Sequence, residues 1–338
     1  MSGSELMKTA IEIVKNSIES VLPDRAVKDT LKDLNLQDVF LVSVGKAAWR
    51  MAKAAFDVLN GKIRKGIVIT KYGHSEGPID DFEIYEAGHP IPDENTMRAT
   101  RRVMEIVEEL NEKDTVLFLL SGGGSALFEL PMEGVSLEEL QKITDSLLKS
   151  GANIEEINTV RKHLSQVKGG RFAEKIFPAR VVTLVLSDVL GDRIDVVASG
   201  PTSPDASTSE EAIRILERYR ISVSNEVKKA LLKETPKHLS NVEIHVLGNV
   251  QKVCEAAKKI ATEKGFNSEI LTTTLDCEAK EAGRFIASIM KEIKFRDRPL
   301  EKPAAVIFGG ETVVHVKGNG LGGRNQELAL SAAIAWKE

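Results

Sequence analysis

The 338-residue sequence is poor in cysteine and in long hydrophobic runs. Its two cysteines, Cys254 and Cys277, form no CxxC pair and belong to no Cys/His cluster of zinc spacing, which excludes a disulfide scaffold and a zinc module. The longest apolar runs, such as Val116–Leu120, have the length of a strand and are far shorter than the roughly 20 residues of a membrane span. We therefore expect reduced thiols, no membrane segment and a cytoplasmic location.

The chain also lacks an excess of either charge. It holds 46 Lys and Arg residues against 50 Asp and Glu residues, a formal net charge of -4. A dedicated nucleic-acid binder usually carries a basic excess or stripe, so no nucleic-acid partner is expected. Hydrophobic residues make up 42% of the chain and charged residues 28%, which is ordinary globular composition and excludes a disordered chain.

Short β-branched runs alternate with helical patterns along the whole sequence. Eight runs are predicted as strands: Val39–Val44, Ile67–Thr70, Thr115–Leu120, Val181–Ser187, Val242–Leu247, Glu269–Thr272, Ala304–Phe308 and Thr312–Val316. Between most of them, apolar residues recur at helical spacing, in one case behind the capping signal at Ser136. Several strands are apolar without alternation, which indicates helices on both faces of a mostly parallel sheet. The predicted fold class is α/β, doubly wound.

The length of the chain favours two domains, because about 150 residues per domain is the usual prior. A boundary is predicted near Thr235–His238, which gives domains of residues 1–236 and 237–338, with residues 1–38 as a segment that could pack on the second. The second domain would contain few strands, and the sequence stops at Glu338 in or just after a helix that starts near Gly323. We therefore expect this domain to be small or incomplete.

Glycine turns follow several predicted strands, at the edge where an open parallel sheet binds its ligands. Gly45 and Lys46 follow the first strand and lead into a helix, where a lysine is favourable if an anion shares the site. A surface lysine that happens to follow a glycine is an equally good interpretation. The pattern is not a Walker A loop, because Phe40 and Ala47 replace its first glycine and its Ser or Thr.

The segment Ser121–Ser125 contains Gly122, Gly123 and Gly124 and follows the most apolar strand. Consecutive glycines let the backbone approach a ligand closely and turn several N–H groups toward an anion, and the two serines add hydroxyl donors. The segment does not fit the Rossmann dinucleotide fingerprint, because Leu127 stands at the third glycine position. We favour an anion-binding loop over a merely flexible one.

Two aspartates follow the strand Val181–Ser187: Asp188 at its end and Asp192 in a glycine turn. Mg²⁺ prefers one or two carboxylates together with phosphate oxygens and water, so these residues are candidate magnesium ligands. Each of them could instead cap a helix or a turn. Gly200 and Thr202, in the turn that comes next, are counted with the candidate phosphate-binding residues.

A second group of glycines surrounds Glu311 and the segment Lys317–Glu327, where a loop runs into a helix at Arg324 and Asn325. The planar guanidinium group of an arginine in that position suits a phosphate or a carboxylate, to which it can donate two hydrogen bonds. A hairpin with an exposed arginine is the alternative. The density of glycines favours a site.

Other basic residues in the middle of the chain are weaker candidates. They lie around the helix break at Gly169 and Gly170 and are Arg161, Lys162, Lys168 and Arg171. These side chains could contact an anionic substrate, although such residues are more often solvated. His89 stands in a rigid turn before a helix, and we predict a hydrogen-bonded loop histidine and not a catalyst.

Six motifs, in this order along the chain, resemble the class II glycerate 2-kinases, whose C-terminal part is called the MOFRL domain. The motifs are Ser43–Ala47, Ser121–Ser125, Ser187–Asp192, Ser199–Thr202, Gly309–Glu311 and Gly320–Glu327. The resemblance covers essentially the whole chain. It implies two α/β domains, the first Rossmann-like, with the active site in the cleft between them. It also implies further glycine- and aspartate-rich loops after position 338, so the second domain is expected to be truncated in this chain.

The resemblance further implies an enzyme that uses ATP and Mg²⁺ to phosphorylate D-glycerate at its 2-hydroxyl, giving 2-phosphoglycerate. The key lysine of the family corresponds to Lys46 and its key arginine to Arg324, and we add Asp188 as a third catalytic candidate. Asp192, Glu311 and Asn325 are the candidate substrate-binding residues, and Asp188 and Asp192 the candidate magnesium ligands.

Two other functions remain open on the sequence. A hydroxypyruvate reductase handles similar acids on an α/β scaffold, but it would need an NAD(P)H site that neither glycine loop fits. A non-enzymatic sensor of small anions would explain anion-binding loops without needing both Lys46 and Arg324. Small molecules are the expected partners in each case, and a homodimer is possible.

Overall fold

Residues 3–187, 195–316, 318 and 320–337 are described by a computed structural model. They divide into two compact units: residues 23–187 and 195–247 form the larger, and residues 3–22 and 248–337 form the smaller. Each unit is α/β. The domain limits at residues 236 and 237 stay a prediction.

The elements are numbered in chain order. The strands are β1 (Val39–Val44), β2 (Ile63–Lys71), β3 (Glu83–Ala87), β4 (Thr115–Ser121), β5 (Arg180–Leu186), β6 (Val242–Gly248), β7 (Asn267–Leu275) and β8 (Ala304–Gly310). The helices are α1 (Gly3–Glu19), α2 (Pro23–Asp33), α3 (Ala48–Leu59), α4 (Glu94–Val107), α5 (Gly124–Leu127), α6 (Leu137–Lys149), α7 (Ile154–His163), α8 (Arg171–Ile176), α9 (Ser209–Arg218), α10 (Asn225–Leu231), α11 (Val250–Glu263), α12 (Ala279–Arg296) and α13 (Arg324–Lys337).

The larger unit is built on a six-stranded sheet with the strand order β3-β2-β1-β4-β5-β6. The pairs β1–β2, β1–β4, β2–β3 and β4–β5 are parallel. This is the strand order of the doubly wound dinucleotide-binding fold, in which the order reverses between the first and the fourth strand. The predicted α/β, doubly wound and Rossmann-like class is therefore confirmed.

Alternate residues of the central strands pack into two different cores, which explains why these strands read as continuous apolar runs. Phe118 and Leu120 of β4 join the core under α4 and α8. Leu117 and Leu119 join the core under α2 and α3. Burying one such side chain contributes about 1.5–3 kcal/mol, so both faces hold the sheet rigid behind the loops at its edge. A third cluster packs α6, α7, α9 and α10 against one another.

The smaller unit contains the parallel pair β7–β8 with α1, α11, α12 and α13. Helix α1 packs on α11, and Glu12 pairs with Lys264 at 2.7 Å. Helix α13 packs on α12, where the Ser331 hydroxyl donates a hydrogen bond to the Lys280 carbonyl at 2.6 Å. Among the helices in the described ranges, none combines the length and the apolar composition needed to cross a membrane.

Two strand predictions differ from the structure. The edge strand β3 (Glu83–Ala87) was not predicted, because it is only half-buried and glutamates interrupt its apolar residues. The predicted strand Thr312–Val316 is wrong, since within the described residues this run makes no strand and Val313 forms a single isolated bridge, to Glu278. Val313 and Val316 are 48% and 83% exposed, so no strand among the described residues covers these side chains.

Candidate functional site

Two loops leave the sheet side by side at the point where its strand order reverses. Val44, the last residue of β1, pairs with Leu120 of β4. The loops that follow are Gly45–Ala47 and the glycine loop, defined as Ser121–Ser125. In doubly wound sheets, ligands bind in the crevice at this reversal, outside the carboxyl ends of the strands.

Backbone hydrogen bonds fix the two loops to each other. The Lys46 N–H donates to the Gly122 carbonyl at 2.9 Å, and the Ala47 N–H donates to the Ser121 hydroxyl at 3.1 Å. Gly45 has φ 124°, and a Cβ on it would lie 2.2 Å from the Ser121 Oγ. Only glycine permits this approach. The structure therefore brings the predicted residues Lys46 and Ser121–Gly124 together in one rigid arrangement.

The exposed surface of this arrangement is formed around Gly123. This residue has φ 87°, and a Cβ on it would lie 3.1 Å from Nε2 of His89 and 3.2 Å from Cγ of Lys46. The described residues offer no hydrogen-bond acceptor to the N–H groups of Gly123 and Gly124. A lysine beside unpaired backbone N–H groups of a glycine loop can bind an anion such as a phosphate group.

His89, predicted as a hydrogen-bonded loop histidine, lies beside Gly123 and is a further candidate for this site. It follows β3 and reaches the glycine loop from the same edge of the sheet as Lys46. The signal that could have identified it is its place just after a strand, and that signal was missed with β3. A second histidine, His74, lies with its Nδ1 3.0 Å from the Lys46 carbonyl oxygen, where a protonated Nδ1 would donate to it.

The predicted residues Gly200 and Thr202 lie behind the glycine loop. Both are buried, and the Thr202 hydroxyl accepts a hydrogen bond from Thr183 at 3.0 Å. Ala198 and Ser199 just before them have φ values of 51° and 60°, a left-handed conformation that is strained for residues other than glycine. The Ser199 hydroxyl lies 2.8 Å from the hydroxyl of Ser125. These residues support the loop, and their direct contact with phosphate stays a prediction.

The four weaker basic candidates all turn inward. Lys168 is fully buried, Lys162 and Arg171 are each 7% exposed, and the Arg161 side chain is 15% exposed. Lys162 pairs with Asp205 at 3.1 Å, and Arg171 donates to the Lys162 and Ser165 carbonyls at 2.7 and 2.8 Å. These side chains are not solvated, so that alternative is wrong, and their contact with an anionic substrate stays a prediction.

In the smaller unit, a pocket of about 520 Å³ surrounds Arg324. The predicted residues Glu311, Arg324 and Asn325 all line it, together with apolar side chains that include Leu275 and Phe308. The Arg324 guanidinium donates to the Thr312 carbonyl at 3.0 Å and forms an ion pair with Glu311. This pocket therefore presents the Arg324 guanidinium to a small anion. The anion would have to displace the Glu311 carboxylate from that guanidinium.

The predicted magnesium ligands Asp188 and Asp192 lie outside the described residues. Within the described ranges, no group of three or more His, Cys, Asp or Glu side chains is arranged to hold a metal ion. Mg²⁺ that arrives bound to a nucleotide needs only one or two carboxylates from the protein. The prediction of a magnesium site in this chain therefore rests on Asp188 and Asp192.

Two family models match the chain, as do curated proteins and solved structures. Residues 9–232 match a family described as a domain of unknown function (DUF4147), and residues 304–338 match the MOFRL family. A D-glycerate 2-kinase from Thermotoga maritima is 78% identical over 330 residues, which cover 98% of this chain and 79% of the relative. A glycerate 2-kinase from Pyrococcus horikoshii is 43% identical over 355 residues, with 98% and 80% covered.

A solved structure gives the same result. The crystal structure of the Thermotoga maritima glycerate kinase superposes with a TM-score of 0.96 at 78% identity, and the match covers 98% of this chain and 80% of that one. The resemblance inferred from six short motifs is thereby confirmed. With Lys46 at the reversal of a doubly wound sheet and Arg324 in a MOFRL segment, the chain belongs to the glycerate 2-kinase family.

Proposed function

We propose that the chain transfers the γ-phosphoryl group of ATP to the 2-hydroxyl of D-glycerate and releases 2-phosphoglycerate and ADP. Membership of the family supports this activity, as does the name D-glycerate 2-kinase of the Thermotoga maritima relative. The observation that carries the proposal is the pair of hydrogen-bonded loops at the reversal of the sheet, where the exposed Lys46 lies beside Gly123 and the N–H groups of Gly123 and Gly124 have no acceptor among the described residues.

The reaction makes one bond and breaks one. The 2-hydroxyl oxygen of glycerate bonds to the γ-phosphorus, the bond between that phosphorus and the bridging oxygen of ADP breaks, and the hydroxyl proton passes to a base. The transition state of phosphoryl transfer is loose and spreads negative charge over the phosphoryl oxygens. A catalyst therefore mainly positions the reactants and stabilises this charge. Fixed N–H groups and a lysine supply such stabilisation without reorganisation.

The residues of this chain divide into three proposed roles. Lys46 and the glycine loop bind the phosphates of ATP. Arg324, with Asn325 and Glu311 beside it, binds the glycerate carboxylate or a phosphate oxygen. Asp188 is the proposed base or magnesium ligand, and Asp192 the second ligand or a contact to the substrate. Mg²⁺ bound to ATP would neutralise charge on the phosphate oxygens.

A cytoplasmic location and a homodimer are further proposals. Size-exclusion chromatography with light scattering measures the oligomeric state directly.

The test is release of ADP by the purified chain with ATP, Mg²⁺ and D-glycerate. We expect ADP to form when D-glycerate is present and not when it is omitted. A non-enzymatic sensor would release no ADP with glycerate, and that outcome would overturn the proposal. A reductase would consume NADH when mixed with hydroxypyruvate, and we expect the absorbance of NADH to stay unchanged in that control.

A further inference from the structure

A buried group of charges lies directly behind the glycine loop. It consists of Lys168, Glu129 and Arg161, called here the triad. The side chains of Lys168 and Glu129 are 0% exposed and that of Arg161 is 15% exposed. Nζ of Lys168 lies 3.2 Å from Oε2 of Glu129, and Nη2 of Arg161 lies 3.7 Å from the same oxygen. Two cations thus share one buried carboxylate.

Both cations are also bonded to the glycine loop itself. Arg161 Nη2 and Lys168 Nζ each donate a hydrogen bond to the carbonyl of Ser125, at 2.9 Å in both cases. Lys168 donates a second hydrogen bond to the carbonyl of Phe128 at 2.8 Å. The last residue of the glycine loop is therefore held by two charged donors, and hydrogen bonds to charged groups are about twice as strong as neutral ones.

Stability alone does not account for this arrangement. Among the described residues, neither carboxylate oxygen of Glu129 has a hydrogen bond of ordinary geometry, although Lys168 Nζ lies 3.2 Å from one of them. Removing charges from water is costly, and replacing a buried ion pair with apolar side chains of similar volume is often neutral or stabilising. The triad carries one more positive than negative charge, and a net charge in a low-dielectric interior acts more strongly on its surroundings than it would in water.

We propose that the triad positions the glycine loop for phosphate binding and places a net positive charge behind the N–H groups of Gly123 and Gly124. Lys168, Arg161 and Glu129 are positioning residues, since they act through the loop and not on the substrate. The inference rests on the proposed function, because it assigns the glycine loop to the phosphates of ATP.

The triad also predicts a pH dependence. Burial lowers the pKa of Lys168 from its ordinary value of 10.5 to about 8, with Arg161 acting in the same direction and Glu129 against it. The charged groups that face Lys168 are Glu129 and Arg161, and its other neighbours at hydrogen-bond distance are the Ser125 and Phe128 carbonyls. As the pH rises through about 8, the triad loses its net positive charge, so phosphate binding should weaken.

Protein stability should change in the opposite direction over the same range. Between about pH 8 and 10.5 the folded chain has lost the Lys168 proton while the unfolded chain keeps it. The unfolded state then binds more protons, so this group makes the fold more stable as the pH rises through this window. A fall in activity there cannot be attributed to unfolding caused by Lys168.

The experiment measures kcat/KM for ATP against pH, at saturating D-glycerate, for the full chain and three variants. For the unsubstituted chain we expect a fall above about pH 8. Lys168→Arg keeps the charge and loses its proton only at much higher pH, so this fall should move to higher pH. Glu129→Gln removes the anion that supports the charged lysine, so the fall should move to lower pH. Lys168→Met should lower kcat/KM about tenfold at neutral pH and abolish the fall.

A matched control separates positioning from general stability. Lys162 is also buried and pairs with a carboxylate, that of Asp205 at 3.1 Å. Lys162→Met should lower the melting temperature while leaving the fall near pH 8 in place. Where Lys168→Met does not fold, the opposite shifts of Lys168→Arg and Glu129→Gln still decide the question.

The results separate the inference from the function on which it rests. If the unsubstituted chain phosphorylates D-glycerate but the fall stays at the same pH in the Lys168→Arg and Glu129→Gln variants, the triad has no positioning role. An equal shift in the Lys162→Met control would overturn the inference in the same way. If the unsubstituted chain neither binds ATP nor releases ADP, the proposed function and the inference are both overturned.

Discussion

The backbone and the side chain of Lys46 make different contacts. The backbone N–H holds the glycine loop through Gly122, whereas the side chain is exposed beside Gly123. Substituting the side chain therefore removes a charge from the proposed phosphate site and leaves the hydrogen bonds of the loop in place.

We accordingly expect Lys46→Ala to lower kcat at least about 100-fold, because removing one preorganised donor from a transition state has an effect of that order. The circular dichroism spectrum and the melting temperature should stay unchanged. Lys53→Ala is the control, since Lys53 lies on α3 and forms a surface ion pair with Asp57. Near-normal turnover of the Lys46 variant would remove its assigned role.

The local structure of single residues could be predicted from the sequence where the residue type restricts the backbone conformation. A run of three glycines after an apolar strand indicated a closely approached loop, and Gly45 and Gly123 do adopt conformations or contacts that exclude a side chain. Lys168 was misjudged because its burial depends on neighbours distant in sequence, whereas the prediction of a hydrogen-bonded loop histidine at His89 stays a prediction. A buried lysine and a solvated one look alike until Glu129 and the Ser125 carbonyl are placed beside it.

At the scale of elements, two glycine substitutions separate the catalytic role of the glycine loop from the general cost of placing a side chain at a positive φ. Gly123→Ala places a methyl group against His89 and Lys46 at a residue with φ 87°. Gly61→Ala introduces the same residue at φ 75° in a turn. Apart from its chain neighbours, no described atom lies within 4 Å of the added Cβ. Both substitutions should lower the free energy of unfolding by about 1–2 kcal/mol.

Only the Gly123→Ala variant should lose turnover, by about tenfold or more, because reactants displaced by part of an ångström react more slowly. Denaturant unfolding and the ADP assay on both variants measure the two quantities. Equal turnover in the two variants would show that the loop does not contact the substrate.

Strands buried on both faces were the elements predicted best. The sequence pattern located β1 at Val39–Val44 with both ends correct, and β4 with one residue fewer than the structure has. Propensity alone misled at Thr312–Val316, where the described part of the chain offers no strand to pair with the β-branched residues beyond the single bridge of Val313. Propensity also missed the strand β3, which is stabilised by its pairing with β2 although it contains glutamates.

At the scale of the whole molecule, the sequence indicated the fold class but not the order of strands. The order β3-β2-β1-β4-β5-β6 arises from pairings between segments far apart in the chain, such as β1 with β4. That order decides which loops meet, and it places the turn after β1 beside the turn after β4. The local motifs therefore predicted two anion-binding turns, and only the topology shows that they adjoin.

The measurement that tests the account most directly is the phosphorus NMR spectrum of the product formed from ATP and D-glycerate. A phosphate on the 2-oxygen couples to the single proton of that carbon, so we expect a doublet in the proton-coupled spectrum. A phosphate on the 3-oxygen couples to two protons and gives a triplet. A triplet, or release of inorganic phosphate alone, would contradict the assignment of this chain as a kinase acting on the 2-hydroxyl of D-glycerate.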